Sequence, residues 1–252
     1  MHFGFADGFA VESIPRGLHL VPRYSVGGHF VVVSPYFDRH SRESFLGATF
    51  GSMDWLTEDD DEFRFDKRTR ELAGVMVAVP QEADAEWDGG AWLRLPREAA
   101  GVRAAAAENF SARPTTVRWV EHGATALVCA YPEFTRDARG LRRLGVAPGF
   151  DLVAGDRGYA GWILENPADC VVDAFEPAPQ GPAPEGFREA LAEFLDLFVE
   201  PRIEQMQDED PGLKVRLDGL LERASSLDPD PRRDALREWL LQVREDWYGI
   251  PA

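Results

Sequence analysis

The sequence predicts an α+β fold, in which a mainly antiparallel sheet of hairpins and a meander is followed by a C-terminal group of about three amphipathic helices. Three observations predict this class. Short apolar runs typical of strands recur up to residue 176, the connections between them are too short for parallel crossovers, and the last part of the chain has helical periodicity. A chain of 252 residues can form one large domain or two small ones.

The first predicted region, residues 1–176, is rich in β-strands. Residues 29–34 predict a strand that ends at Pro35. Residues 63–65 alternate apolar and polar side chains, and residues 72–79 follow them after a polar turn. The two segments therefore predict a hairpin.

The second half of this region carries two further predictions. Residues 116–120 and 124–130 predict another hairpin, while the alanine-rich residues 99–108 are compatible with a short helix. Three later segments with short turns between them predict an antiparallel meander: 151–154, 159–164 and 170–175.

A connection rich in proline and glycine separates this region from the predicted helices. Residues 177–186 favour extended backbone and mark the best candidate boundary. Residues 187–252 place apolar side chains at helical spacing in three segments, with Pro201 expected to kink or divide the first. Asp230 and Pro231 mark the start of the last helix. The helical region is expected either to form a small bundle or to pack on the sheet within one domain.

The charge of the chain bears on its partners. With 27 Lys and Arg against 44 Asp and Glu, the formal net charge is −17. Residues 57–113 and 181–252 contribute −5 and −8 of this total. A field of this sign disfavours nucleic acids and anionic membranes, because both need a basic face, and it favours a basic protein partner.

The expected compartment is the cytoplasm. The N-terminus has neither the basic segment nor the apolar segment of a secretory signal, and no apolar run approaches the roughly 18–20 residues that span a bilayer. Cys129 and Cys170 lie in apolar, strand-like surroundings, which is typical of buried free thiols.

The familiar motifs of catalysis and of cofactor or metal binding are missing from the sequence. It has no phosphate-binding glycine loop, no nucleophile elbow and no paired-cysteine motif. His29, His40 and Glu43 would form a zinc site only if the intervening loop folded back, and no periodicity places them together. The acidic runs 58–62 and 208–210 lack a calcium-binding register. We therefore expect neither a cofactor nor a metal.

Two tryptophans in polar surroundings suggest a surface for a partner. If they are exposed, aromatic side chains rimmed by carboxylates make a plausible hot spot for a basic protein, and the competing interpretation is that they cover the edge of the sheet core. The predicted partner-binding residues are Trp55, Glu58, Asp59, Asp60, Asp61, Glu62 and Trp87.

These features favour a binding or inhibitory protein over an enzyme. The specific hypothesis is an immunity or antitoxin-like protein, which neutralises a basic toxin or nuclease by presenting carboxylates in place of phosphate. The alternative is a small hydrolase that uses His29 or His122 with a nearby carboxylate between sheet and helices. A third hypothesis is an adaptor whose helical tail mediates oligomerisation.

Overall fold

The computed structural model describes residues 2–6, 8–52, 61–84 and 86–250, which form three sheets and six α-helices. The α+β class and its antiparallel sheets are therefore confirmed. No helix within these ranges has the length and apolar character needed to cross a bilayer. The strands are β1 (His2–Ala6), β2 (Phe9–Ile14), β3 (Arg23–Ser25), β4 (Phe30–Val33), β5 (Thr49–Gly51), β6 (Glu62–Asp66), β7 (Leu72–Ala78), β8 (Glu82–Ala83), β9 (Arg97–Ala99), β10 (Gly101–Ala104), β11 (Val117–Val120), β12 (Ala126–Ala130), β13 (Arg142–Ala147), β14 (Phe150–Gly155), β15 (Gly158–Glu165) and β16 (Val171–Val172).

The largest sheet has the strand order β8-β11-β12-β15-β14-β13-β9. The predicted hairpin of β11 and β12 is confirmed, with Val117 opposite Ala130. Strands β12 and β14 are buried along their whole length, because both faces of the sheet centre are covered. The two edge strands β8 and β9 pair in parallel with their neighbours.

A second sheet has the order β16-β3-β4-β7-β6-β5. The predicted hairpin of β6 and β7 is confirmed, with Phe63 opposite Val75. The predicted third strand of the meander is wrong, because β16 joins this sheet in parallel with β3 rather than continuing from β15. Asn166, at a positive φ of 47°, and Pro167 start a 3₁₀ helix that turns the chain away after β15.

The smallest sheet, β1-β2-β10, is antiparallel and corrects another expectation. Residues 99–108 are compatible with a helix by composition, but they contribute to β9 and β10 instead. Gly101 explains part of this outcome, since a Cβ atom there would lie 2.0 Å from the carbonyl oxygen of Arg16. Strand pairing and close backbone contact thus override the helical propensity of alanine.

Among the described residues, the C-terminal helices number four rather than about three. Pro201 divides the first predicted helix, which ends at Leu197 and resumes at Arg202. Two helices in the first region, Arg39–Ala48 and Gly90–Leu93, are additional to the prediction. The helices are α1 (Arg39–Ala48), α2 (Gly90–Leu93), α3 (Phe187–Leu197), α4 (Arg202–Gln207), α5 (Pro211–Ser226) and α6 (Pro231–Tyr248).

A buried arginine joins the helical layer, α3 to α6, to the large sheet. Arg118 on β11 is 2% exposed, and its guanidinium donates hydrogen bonds to the carbonyl oxygens of Pro80 (2.9 Å), Leu195 (2.5 Å) and Phe198 (2.5 Å). The last two carbonyls belong to the C-terminal end of α3, where cations are favoured.

Another buried arginine holds the proline-rich connection. Arg232 at the start of α6 is 1% exposed and donates to the carbonyl oxygens of Asp169 (3.1 Å), Pro179 (3.1 Å) and Gly181. Residues 177–186 are therefore bound to the first turn of α6.

Candidate functional site

A group of carboxylates lies where α4 meets the start of α5 and the end of α6. We call this group the acidic end of the helical layer. Its members are Glu204, Asp208, Glu209, Asp210, Asp218, Glu245 and Asp246.

The turn between α4 and α5 supplies three consecutive members of the acidic end. The backbone N–H of Asp208 donates to the carbonyl oxygen of Glu204 (2.9 Å) at the end of α4. Glu209 then adopts a positive φ of 61°, and the side chain of Asp210 caps α5 by accepting from the N–H of Leu213 (2.8 Å). This tight reversal leaves the Asp208 and Glu209 side chains exposed.

Tyr248 brings the end of α6 to the same place. Its hydroxyl donates to the carbonyl oxygen of Asp210 (3.2 Å). Partial burial and the carboxylates of Asp210, Asp218 and Glu209 raise the pKa of Tyr248. Glu245 lies within one turn of Tyr248, as does Asp246, and both are exposed.

Most of the charge at the acidic end is not neutralised locally. Lys214 pairs with Asp218 at 2.7 Å. The five exposed carboxylates have no ion-pair partner among the residues that the structure describes: Glu204, Asp208, Glu209, Glu245 and Asp246. Val215 on α5 is 71% exposed, and Trp247 is half-buried. The surface therefore combines anionic groups with some accessible apolar area.

The predicted surface around residues 55–62 has a different character where the structure describes it. Trp55, Glu58, Asp59 and Asp60 lie outside the described residues. Asp61 is 0% exposed, Glu62 is 3% exposed and Trp87 is 4% exposed. These three side chains belong to the interior, and a partner approaching the described surface meets other carboxylates.

The contacts of the buried residues explain their positions. Asp61 accepts a hydrogen bond from the N–H of Ala78 at 2.8 Å. Glu62 forms an ion pair with Arg42 of α1 at 2.7 Å, while its burial raises its pKa. The indole of Trp87 packs edge-to-face on that of Trp92, with ring centroids 5.4 Å apart.

The histidines of the alternative hypotheses do not converge on a shared site. His29 contacts the rings of Phe194 and Trp239, and burial lowers its pKa to about 4. His122 and His40 are exposed on separate elements, and Glu43 is an exposed residue of α1. Within the described ranges, no three histidine, cysteine or acidic side chains are grouped so that they hold a metal ion.

Searches for similar proteins found no family model, no curated protein and no solved structure that matches the chain.

The sequence pattern contains part of the signal for the acidic end. The run 208–210 is visible in the sequence, where it is interpreted as a solvated loop, and residues 181–252 carry a net charge of −8. What the sequence does not contain is the contact between Tyr248 and Asp210, which adds Glu245 and Asp246 to the group.

Proposed function

We propose that the protein binds a basic protein partner through the acidic end of its helical layer. The observation that carries this proposal is that α4, its following turn and the end of α6, which Tyr248 links to Asp210, carry five exposed carboxylates without ion-pair partners among the described residues. Such a surface attracts cationic proteins over long range and orients them on approach. Val215 and Trp247 offer the apolar contacts that a specific interface needs besides charge.

The form of this function that we favour is inhibition of a basic toxin or nuclease, as an immunity protein or antitoxin does. An enzyme that binds phosphate presents a cationic cleft, and carboxylates held in a fixed arrangement can occupy it. The net charge of −17 disfavours nucleic acid as the direct partner. We place the activity in the cytoplasm, because Cys129 and Cys170 are buried free thiols.

Affinity capture with charge-matched variants tests the proposal. One variant carries Asp208→Asn, Glu209→Gln and Asp246→Asn within the acidic end. The control carries Glu108→Gln, Asp156→Asn and Glu185→Gln, which are exposed and outside the ion pairs of the described residues. Both variants change the net charge equally, so they differ only in where the charge is removed.

We expect the wild type and the control variant to retain the same basic protein from host lysate. The acidic-end variant should not retain it. Quantitative mass spectrometry of the retained proteins measures the difference. Equal retention by all three proteins would show that the acidic end is not the binding surface.

A further inference from the structure

A cleft that shares no residue with the acidic end has cationic side chains in its lining. It has a volume of about 650 Å³ and lies between β1, residues 111–113 and the start of β15. We call it the arginine cleft, since Arg113 and Arg157 form its rim. Its size falls in the range of sites that bind small organic molecules, roughly 300–1,000 Å³.

Both arginines are held against aromatic rings. The guanidinium carbon of Arg113 lies 4.6 Å from the ring centroid of Tyr131, and that of Arg157 lies 4.6 Å from the ring centroid of Phe134. Contacts of this kind hold each guanidinium over an aromatic face, and the N–H groups that make no protein hydrogen bond can still donate to a planar anion.

Glu133 brings the two arginines together without neutralising both. Its carboxylate pairs with Arg113, while its carbonyl oxygen accepts a long hydrogen bond of 3.3 Å from Arg157. Arg157 makes a similar bond to the carbonyl oxygen of Asp137 and has no carboxylate within ion-pair distance in the described part of the chain. Among the described residues, the lining therefore carries two cations and one anion, in a chain whose net charge is −17.

The lining of the cleft below the rim is aromatic. Tyr159 is 4% exposed, and its ring stacks on Phe5 with centroids 4.9 Å apart. The Tyr159 hydroxyl has no hydrogen-bond partner among the described residues. Burial raises the pKa of this hydroxyl well above its ordinary value, so it stays protonated. A cationic rim over an aromatic lining suits an anion that has an apolar body.

We propose that the arginine cleft binds a small organic oxyanion, in which a carboxylate or phosphate group is attached to an apolar or aromatic body. The oxyanion meets the N–H edges of Arg113 and Arg157, and the body occupies the space above Phe5 and Tyr159. Since the cleft and the acidic end share no residue, this site is independent of the proposed binding of a basic protein.

Titration with four probes, followed by amide NMR, tests the site. Benzoate and phenyl phosphate carry the two oxyanions on one ring, phenol lacks the anion, and inorganic phosphate lacks the ring. We expect both ring-bearing anions to shift the Gly4 and Gly158 resonances at lower concentration than phenol or inorganic phosphate. The tighter of the two identifies the oxyanion as carboxylate or phosphate ester.

Three variants locate the binding. Arg157→Gln is expected to weaken it about tenfold, the effect of one lost charge-assisted hydrogen bond. Gly4→Leu is expected to weaken it sterically with both arginines retained, because Gly4 lines the cleft and a Cβ there meets no atom within 4 Å. Arg68→Gln, at an exposed position in the turn that follows β6 and outside the lining of the cleft, is the charge-matched control.

Several results would overturn the proposal. These are no shift at millimolar probe, equal shifts with phenol or inorganic phosphate, equal weakening by Arg68→Gln, or undiminished binding to the Gly4→Leu variant.

Discussion

Asp151 shows how single residues stabilise the large sheet. Its side chain is 0% exposed and accepts from Nε of Arg97 at 2.9 Å and from Nε of Arg143 at 2.5 Å. Arg143, itself 6% exposed, also pairs with Glu165. The sheet interior thus contains a charge network that is satisfied only while Asp151 is ionised and present.

We expect Asp151→Ala to lower the free energy of unfolding by about 3–5 kcal/mol, because it leaves the buried Arg143 without its main counterion. Urea denaturation measures this loss. The control Asp137→Ala removes an exposed pair with Arg139 and should change the urea midpoint far less, because solvent screens such pairs. Similar losses of unfolding free energy for both variants would contradict the role of Asp151 as the counterion of the buried Arg143.

The buried side chain of His29 is expected to make the stability of the fold depend on pH. Its folded pKa of about 4 lies below the ordinary value near 6.5, because burial disfavours the imidazolium and Arg118 adds repulsion. Between these values the unfolded chain binds more protons than the folded one, so stability falls as pH decreases from about 6.5 to about 4. The contribution is at most about 3 kcal/mol.

The variant His29→Asn isolates this effect, since asparagine tolerates the positive φ of 51° at this position and does not titrate. Urea unfolding across the same pH range should show a steeper loss for the wild type than for the variant. Parallel curves would mean that His29 does not contribute.

At the scale of elements, the hairpins were predictable and the edges of the sheets were not. Strands β6, β7, β11 and β12 follow alternation and turn signals that are local in sequence. The parallel pairings of β8, β9 and β16 join two- or three-residue strands to distant partners, so no local pattern encodes them.

The segment 61–65, which includes part of the predicted partner-binding surface, shows the same difference between local sequence signals and distant contacts. Arg64, the polar residue of the alternating segment 63–65, is 5% exposed and donates to the carbonyl oxygen of Thr49 at 3.0 Å. Glu62 is buried through its pair with Arg42, a residue of the unpredicted helix α1. The acidic composition of the sequence therefore predicts that the surface is anionic. It does not predict which carboxylates are exposed there.

Among the contacts between elements, those of Arg118 are expected to contribute most to the free energy of unfolding. Arg118→Met leaves the carbonyl oxygens of Pro80, Leu195 and Phe198 without their donor, which should cost about 3 kcal/mol or more. Hydrogen exchange in α3 should accelerate together with the fall in the urea midpoint. Arg94→Met, at a side chain that is 70% exposed, is the control and should change neither. Unchanged exchange in α3 would contradict the role given to Arg118.

For the whole molecule, the structure predicts that residues 1–183 do not fold alone. The α3 side chains Phe187, Leu191 and Phe194 are at most 1% exposed and belong to one continuous core with the sheets. Arg118 loses two of its three acceptors when α3 is removed. A chain ending at residue 183 should therefore aggregate or lack a cooperative thermal transition, in contrast to one ending at residue 250. A monodisperse, cooperatively melting fragment would mean that the helices form a separate domain.

Charge is distributed unevenly over the molecule, and the two proposed sites have local charge of opposite sign. The acidic end concentrates carboxylates on the helical layer, and the arginine cleft places two cations beside the smallest sheet. A basic protein and a small anion would thus be attracted to separate parts of the surface.

The salt dependence of partner binding tests the central claim most directly. With the captured basic protein as ligand, the Kd of the wild type should rise steeply between about 0.05 and 0.5 M NaCl, because salt screens exposed charges. The variant with Asp208→Asn, Glu209→Gln and Asp246→Asn should bind more weakly at low salt and show a shallower dependence, while the Glu108→Gln, Asp156→Asn and Glu185→Gln control follows the wild type. A Kd that is indifferent to salt, or equal in the two variants, would contradict binding through the acidic end.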